Sequence, residues 1–403
     1  MHYYMEQNKI MKILIVNSYY YPDFVGGAEK STQLLAEEFK QKGHDVLVFT
    51  GKHATETEVN GVKIFRADLG KFDIKSRIDE NGSIIRRFLN KYYEINNKSI
   101  YKQFANVIDE FKPDIVFTNN LYGLSSIVWK AAHDKQIPII HTVHDYWIFD
   151  SHSRLINIIH KLFYRKRSNY VSCVTAPSQS TMNIINKNKS YFKSTTHLVI
   201  PNGMDFDIEN SKNIIKRKIE FLKENDIKCL NIIFAGRIDK NKGILNLIDA
   251  LKSVKRTYKL HICGIGPLVN EVNQICSKNE NIIYYGKLSK EELQKVYLKC
   301  DVLVAPSTWI EPFGLVVIEA MINGCCVLGS NYGGISEIIK FTNGGDAFNP
   351  ENIDEIRNSI NSLTKDKLVS WLENINKNIE FYNIFNTTNK YLDEFDSIIK
   401  KKH

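Results

Sequence analysis

Short runs that are apolar on both faces constrain this chain more than any other feature. Such a run is buried only in a sheet covered by helices on both sides. MKILIVNSYY (11–20) is one. It is followed by a glycine-containing loop, by TQLLAEEFKQKG with helical spacing and Gly43 as its stop, and by HDVLVFT as the next strand. That is a βαβ unit. PDIVFTNN (113–120), IPIIHTVHD (137–145) and VSCVTAPS (171–178) continue the series, with helix-like segments between them. At HLVIPNGMD (197–205) the rhythm pauses and a Lys-rich helix-like stretch follows. A second series then begins with CLNIIFAG (229–236), KLHICG (259–264), NIIYYG (281–286), DVLVAPS (301–307) and CCVLGS (325–330). The expectation is an α/β chain of two doubly wound domains joined near residue 203. From about Ser370 to His403 the chain reads as amphipathic helix, too polar for a core and best placed along the outside.

Composition agrees with a folded chain of this size: 403 residues, 43% hydrophobic and 25% charged. Seven cysteines occur with neither a C-x-x-C pair nor metal-ligand spacing, which points to a reducing compartment. MHYYMEQNKIMK lacks the basic start and apolar core of a secretion signal, and residues 1–10 read as an extension ahead of the first strand. No apolar run reaches the ~18 residues of a membrane span. The expected location is the cytoplasm. The net charge of +9 is unevenly placed: residues 1–200 carry 27 Lys and Arg against 19 Asp and Glu, the remainder 27 against 26. An anionic partner for the first half is implied, nucleic acid or a membrane surface. No nucleic-acid reader motif accompanies the charge, so no nucleic acid is expected.

In doubly wound folds, ligands bind beyond the carboxyl ends of the strands, so residues directly after strands are the candidates. PDFVGGAEK (22–30) sets Gly26 and Gly27 before a helix, where backbone N–H groups suit an anion; an ordinary turn is the alternative. FAGRIDKNKG (234–243) puts Arg237 and Lys242 past a strand, suited to a pyrophosphate unless both are simply solvated. CGIGPL (263–268) carries Gly264 and Gly266, but Pro267 and the missing third glycine argue against a dinucleotide loop and leave a turn against a ligand edge. In HTVHDYW (141–147), His144 and Asp145 end a strand; His144 suits a hydrogen bond to a substrate hydroxyl or a proton transfer, and His141 reads as structural. In EPFGLVVIEA (311–320) a helix is expected from near Phe313 to a stop at Gly324. Glu319 then lies more than one turn inside an apolar helix, where an unpaired carboxylate is costly.

Together and in this order, these segments resemble one family, the family-4 retaining glycosyltransferases of the GT-B fold. The resemblance runs from Met11 to about residue 390. It rests on the GGAE loop with LAEEFKQKGHDV, on HDYW, IPNGMD, GRIDKNKG and ICGIGPL, on VLVAPSTWIEPFGLVVIEAMINGCCV, and on GGISEII. It implies two Rossmann-like domains facing across a cleft. Residues 11–203 would take the acceptor and 204–380 the nucleotide-sugar donor, with 381–403 a C-terminal helix returning to the N-terminal domain. Carried over by position, Gly26 and Gly27 would lie by the donor phosphate and anomeric carbon, and His144 by the transferred sugar. Arg237 and Lys242 would grip the pyrophosphate, and Glu311 would hold sugar hydroxyls. Phe313, Gly314 and Leu315 would offer backbone N–H groups, and Glu319 would hold the ribose diol. Gly266 and Leu288 complete the implied donor set. Glu311, His144, Arg237 and Lys242 carry the implied catalysis, with retention of configuration and no metal or other cofactor. DFD (205–207) looks like the D-x-D metal motif of another glycosyltransferase class but falls in the linker, so no metal site is expected.

SRLINIIHKLFYRKRSNY (153–170) carries Leu155, Ile159 and Leu162 at helical spacing among Arg154, Lys161, Arg165, Lys166 and Arg167, and IIRRFLNKYY (84–93) is similar. Such a surface suits anionic lipid, or else is a solvated helix face. With the family it suggests a lipid-linked oligosaccharide acceptor, bacterial surface polysaccharide assembly, and peripheral attachment to the inner face of the cell membrane. Alternatives of the same architecture are a nucleotide-sugar epimerase and a non-catalytic nucleotide-sugar-binding protein. The oligomeric state is not legible.

Overall fold

A computed structural model of the chain describes residues 10–23, 26–51, 54–69, 95–149 and 156–402, with backbone alone over 156–160. It divides into two compact units, Met1–Gly203 with Ile384–His403, and Met204–Asn383.

The strands of the first unit are β1 (Lys12–Val16), β2 (Asp45–Gly51), β3 (Glu58–Val59), β4 (Val62–Ala67), β5 (Ile115–Thr118), β6 (Ile139–Thr142), β7 (Cys173–Ala176) and β8 (Thr196–Val199). Their order in the sheet is β3-β4-β2-β1-β5-β6-β7-β8. Ile13 pairs with Val46 on one side and Ile115 on the other, both parallel. The chain winds outward from β1 to β4 and then returns to place β5 beside β1. The winding direction therefore reverses between β1 and β5. Among the described residues the unit's helices before residue 203 are α1 (Gly27–Gln41), α2 (Lys98–Phe111), α3 (Ile127–Asp134), α4 (Ile156–Ser168) and α5 (Gln179–Lys187).

The second unit holds β9 (Leu230–Ala235), β10 (Tyr258–Cys263), β11 (Ile282–Gly286), β12 (Val302–Ala305), β13 (Cys326–Ser330) and β14 (Gly345–Phe348). The order is β11-β10-β9-β12-β13-β14, every pair parallel, with the reversal between β9 and β12. Its helices are α6 (Ile208–Glu224), α7 (Ile244–Leu251), α8 (Val269–Cys276), α9 (Lys290–Tyr297), α10 (Leu315–Ile322), α11 (Gly333–Thr342), α12 (Ile353–Asn361) and α13 (Lys365–Asn378). Leu230, Ile232, Ile262, Leu303 and Val327 are fully or almost fully buried, as strands covered on both faces must be.

The last helix, α14 (Ile384–Lys402), belongs to the first unit. It is not an outer polar strap. Ile384, Tyr391, Leu392, Phe395 and Ile398 are buried in one cluster with Ile13, Ile15, Phe39 and Phe117. The Phe395 ring lies 5.5 Å from those of both Phe39 and Phe117. The Tyr391 hydroxyl is 3.0 Å from Thr142 Oγ1. One apolar face among polar residues is enough to enter a core when the buried hydroxyl has a partner.

Strands β3, β4 and β14 escaped the sequence reading. The antiparallel β3–β4 pair turns at Asn60 (φ 49) and Gly61 (φ 77). That is the asparagine-glycine hairpin signal, present in EVNGVKIF and passed over. β14 has no comparable signal, since GDAF is short and lacks β-branched residues. Among the described residues no helix is long and apolar enough to cross a membrane.

Candidate active site

In the second unit, the loops after β9 and β12 leave the sheet where its winding reverses, and they are joined residue by residue. Past β9, Asp239 accepts a hydrogen bond from the Lys242 N–H (3.0 Å), folding Lys240–Lys242 into a 3₁₀ turn, and its carboxylate also pairs with Arg237 Nε at 3.2 Å. The Thr308 and Trp309 N–H groups donate to the Asn241 carbonyl at 2.9 and 3.3 Å. With the loops so joined, Lys242 Nζ meets the Glu311 carboxylate, which also accepts from Ser307 Oγ at 2.9 Å. The Gly334 N–H donates to the Glu311 carbonyl (2.8 Å), bringing the start of α11 to the same point. A half-exposed ammonium, a carboxylate and two helix N-termini therefore gather at the carboxyl ends of three strands. The helix dipoles and Lys242 favour an anion there, and Glu311 accepts hydrogen bonds from hydroxyls. Arg237 projects outward from the same loop, its side chain 61% exposed.

The helix in EPFGLVVIEA begins at Leu315, later than the expected Phe313, because Gly314 takes φ 104 and caps α10 from outside. Phe313 is instead buried, its ring 5.9 Å from that of Tyr382. Glu319 lies in the second turn of α10 and is half-buried. Its charge adds to the burial that pushes the neighbouring Tyr297 hydroxyl well above its usual value. Gly266 has a reason independent of any ligand: a Cβ there would stand 2.4 Å from the Ile238 carbonyl oxygen. The loop after β10 thereby packs on the Arg237 loop, with the Leu268 N–H donating to Ile238 O at 3.0 Å. Leu288 is half-buried against the core beyond β11.

In the first unit the reversal point is equally polar. Asn17 and Ser18 follow β1, Asn119 and Asn120 follow β5, and His144 and Asp145 follow β6. The Asn120 N–H donates to Asn17 Oδ1 (2.9 Å), and Ser18 Oγ bonds the Asn120 carbonyl (3.0 Å). His144 Nε2 lies 3.0 Å from Asn119 Oδ1. Burial pushes the His144 imidazole down to about 4, so near neutral pH it is a polar hydrogen-bonding group, not a cation. Burial pushes Asp145 upward, partly offset by the Trp147 N–H. His141 is a core residue between the Trp129 and Phe192 rings, with Nδ1 on Thr118 Oγ1. Gly26 and Gly27 are exposed at the start of α1, and the Gly26 N–H donates to Glu29 Oε2 at 2.8 Å.

The sequence reading missed Ser307, Asn119 and Asn120, although each lies within two residues of the end of a strand and the strand-end rule would have flagged them. Asp207 serves α6, its carboxylate accepting from the Asn210 N–H at 2.9 Å. The basic surface on α4 needs correction at Arg167. That guanidinium is buried, donating to the Ile95 carbonyl at 2.7 Å and to Ser126 Oγ at 3.3 Å, so it does not face solvent. Residues 84–93 and Arg154 and Leu155 lie outside the described residues, as does the side chain of Ile159.

Residues 25–208 match the family model Glycosyltransferase Family 4, and residues 212–380 match Glycosyl transferases group 1. An uncharacterized 42.6 kDa protein in the cps region of Klebsiella pneumoniae is 30% identical over 352 residues, covering 82% of this chain and 88% of the relative. An uncharacterized glycosyltransferase of Methanocaldococcus jannaschii is 27% identical over 376 residues, covering 88% and 90%. Among solved structures, Anabaena Alr3699/HepE in complex with UDP is similar with a TM-score of 0.72 at 19% identity, covering 96% of this chain and 100% of that one.

Proposed function

The chain belongs to the family-4 glycosyltransferases of the GT-B fold, and from that premise we propose that it moves a hexosyl group from a nucleoside-diphosphate sugar to an acceptor hydroxyl with retention of configuration. The observation that carries this reading is the Lys242–Glu311 pair at the strand ends of the second unit. Its two members suit the two ends of the bond that breaks. As the anomeric carbon parts from the β-phosphate oxygen, the electron pair goes to that oxygen. Lys242, Arg237 and the N-terminus of α10 stabilise the new charge there. Glu311 turns to the hydroxyls of the sugar. The acceptor oxygen forms its bond on the face the phosphate is leaving and passes its proton to the departing phosphate oxygen. A carboxylate pair of the glycosidase kind is not required for this route.

Glu319 holds the ribose diol, the backbone of 313–315 meets the phosphates and sugar, and Gly27 and the neutral His144 serve the transferred sugar. The solved relative bound to UDP supports a nucleotide donor. The acceptor in this reading is a lipid-linked oligosaccharide of surface polysaccharide assembly. The relative in the cps region supports it, as does the exposed Leu162 beside the exposed Arg165 and Lys166 on α4. A thermal-shift series of nucleotide sugars should single out one donor. With that donor, NMR of the first product should show the donor's own anomeric configuration, and the opposite anomer would refute retention. Flotation with anionic vesicles tests the membrane part, where the absence of salt-sensitive binding counts against it.

A further inference from the structure

The second unit has a cavity at the opposite end of its sheet from the Lys242–Glu311 pair. It opens where β9 and β12 begin, beside Cys229 and Asp301, and is walled by α6 and the end of α9. Its volume of about 600 Å³ is that of a small-molecule site.

Two features of the lining call for a particular chemistry. The first is charge. Lys218 pairs with Asp301 at 2.7 Å, and the exposed Asp226 lies 3.5 Å from Lys365, so each carboxylate of the lining already has a lysine partner. Arg217, Lys228 and Lys299 remain, exposed and with no ion pair among the described residues. The second is the apolar wall. Phe221 is 58% and Leu298 45% exposed, although each borders a cavity with partly buried Ile214 and Ile227 in its lining. Large apolar side chains left in water beside unpaired cations suit a molecule with both an anionic head and an apolar body.

The lining amides indicate what that body is. Asn323 donates to the Glu319 carbonyl and accepts from Gln294 Nε2, and Asn231 Oδ1 faces His261 Nε2. With these groups committed, a nucleobase would find little to read its polar edge, whereas an aliphatic chain needs only the Ile, Leu and Phe wall. We propose that this cavity binds an aliphatic phosphate ester, the phosphate held by Arg217, Lys228 and Lys299 and the chain lying along Phe221 and Leu298. The site is independent of the donor reading.

Calorimetric titration of the full chain with geranyl phosphate tests it. Saturable binding is expected, unchanged by saturating UDP or by Lys242→Ala. Arg217→Ala/Lys299→Ala should weaken it by about tenfold or more, the equivalent of losing at least one charge-assisted contact. Phe221→Ser should weaken it as well. Geraniol, inorganic phosphate and uridine monophosphate should each bind far more weakly. Arg217, Phe221 and Lys299 are exposed, and unchanged melting temperatures and retained UDP binding in their variants would verify that these fold and that the donor site is intact. Competition by UDP, equal binding by the double variant, or equal binding by geraniol, phosphate or the nucleotide would overturn the proposal, as would no binding at all.

Discussion

At the residue scale the proposed chemistry turns on Lys242 and Glu311, which pair with each other in the structure and, on that proposal, exchange this contact for the donor. The pair is only partly buried, with side chains 33% and 13% exposed, so its contribution to stability is about 1 kcal/mol or less. On the proposed mechanism the contribution of Lys242 to a leaving phosphate is much larger, because charge develops there during the reaction. Lys242→Ala should lower kcat by about 10²–10³ while shifting the melting temperature by no more than about 4 °C. Glu311→Gln should reduce kcat far more than donor affinity in steady-state kinetics with a titrated donor; equal losses would remove it from the reacting sugar. His144 and His141 make a separate prediction. Burial lowers both, to about 4 and about 3 from an ordinary 6.5, so the fold binds fewer protons than the unfolded chain. Their share of stability is complete above about 6.5 and declines as pH falls toward 4. Chemical denaturation at pH 7 and pH 5 should show the first unit weaker at pH 5, with a flatter dependence in a His141→Gln/His144→Gln variant.

Helix α14 supplies part of the core of the first unit. Phe395 fills the space between Phe39 and Phe117, and Tyr391 places its hydroxyl near Thr142. Phe395→Ala should cost about 3–5 kcal/mol, as a large buried aromatic does. Tyr391→Phe should cost about 1 kcal/mol, the usual net value of one hydrogen bond. Denaturant titration followed by circular dichroism checks both. At this scale the sequence was legible where the pattern was long: the Rossmann strands showed as apolar runs, and the helix after DVLVAPS was misplaced only by the two residues that Gly314 holds outside it. The β3–β4 pair was legible too, through Asn60–Gly61. The burial of α14 was not, because a half-polar helix shows its apolar stripe without showing what that stripe meets.

Across the whole molecule, the second unit leaves the chain and returns to it at neighbouring points. The Met204 N–H donates to the Tyr382 carbonyl at 2.9 Å, and Met204 bridges Asn383. A fragment of residues 204–383 thus keeps its core and closes its own ends. It should fold alone and, on the donor reading, bind UDP in a calorimetric titration. Residues 1–203 without α14 should melt well below the full chain.

What the sequence determined by itself was local: which runs become strands, which residues follow them, and hence that Arg237, Lys242, Glu311 and His144 stand at strand ends. The tertiary structure decided partnership. Lys242 meets Glu311, 69 residues away, because the sheet order sets β9 beside β12 and puts their loops in contact. The same packing carries Arg167 inward to the Ile95 carbonyl and leaves Arg217, Lys228 and Lys299 outside. Spacing along the chain records the chemistry of a side chain, but its burial and its partner depend on contacts between segments far apart in sequence, which only the closed fold brings together.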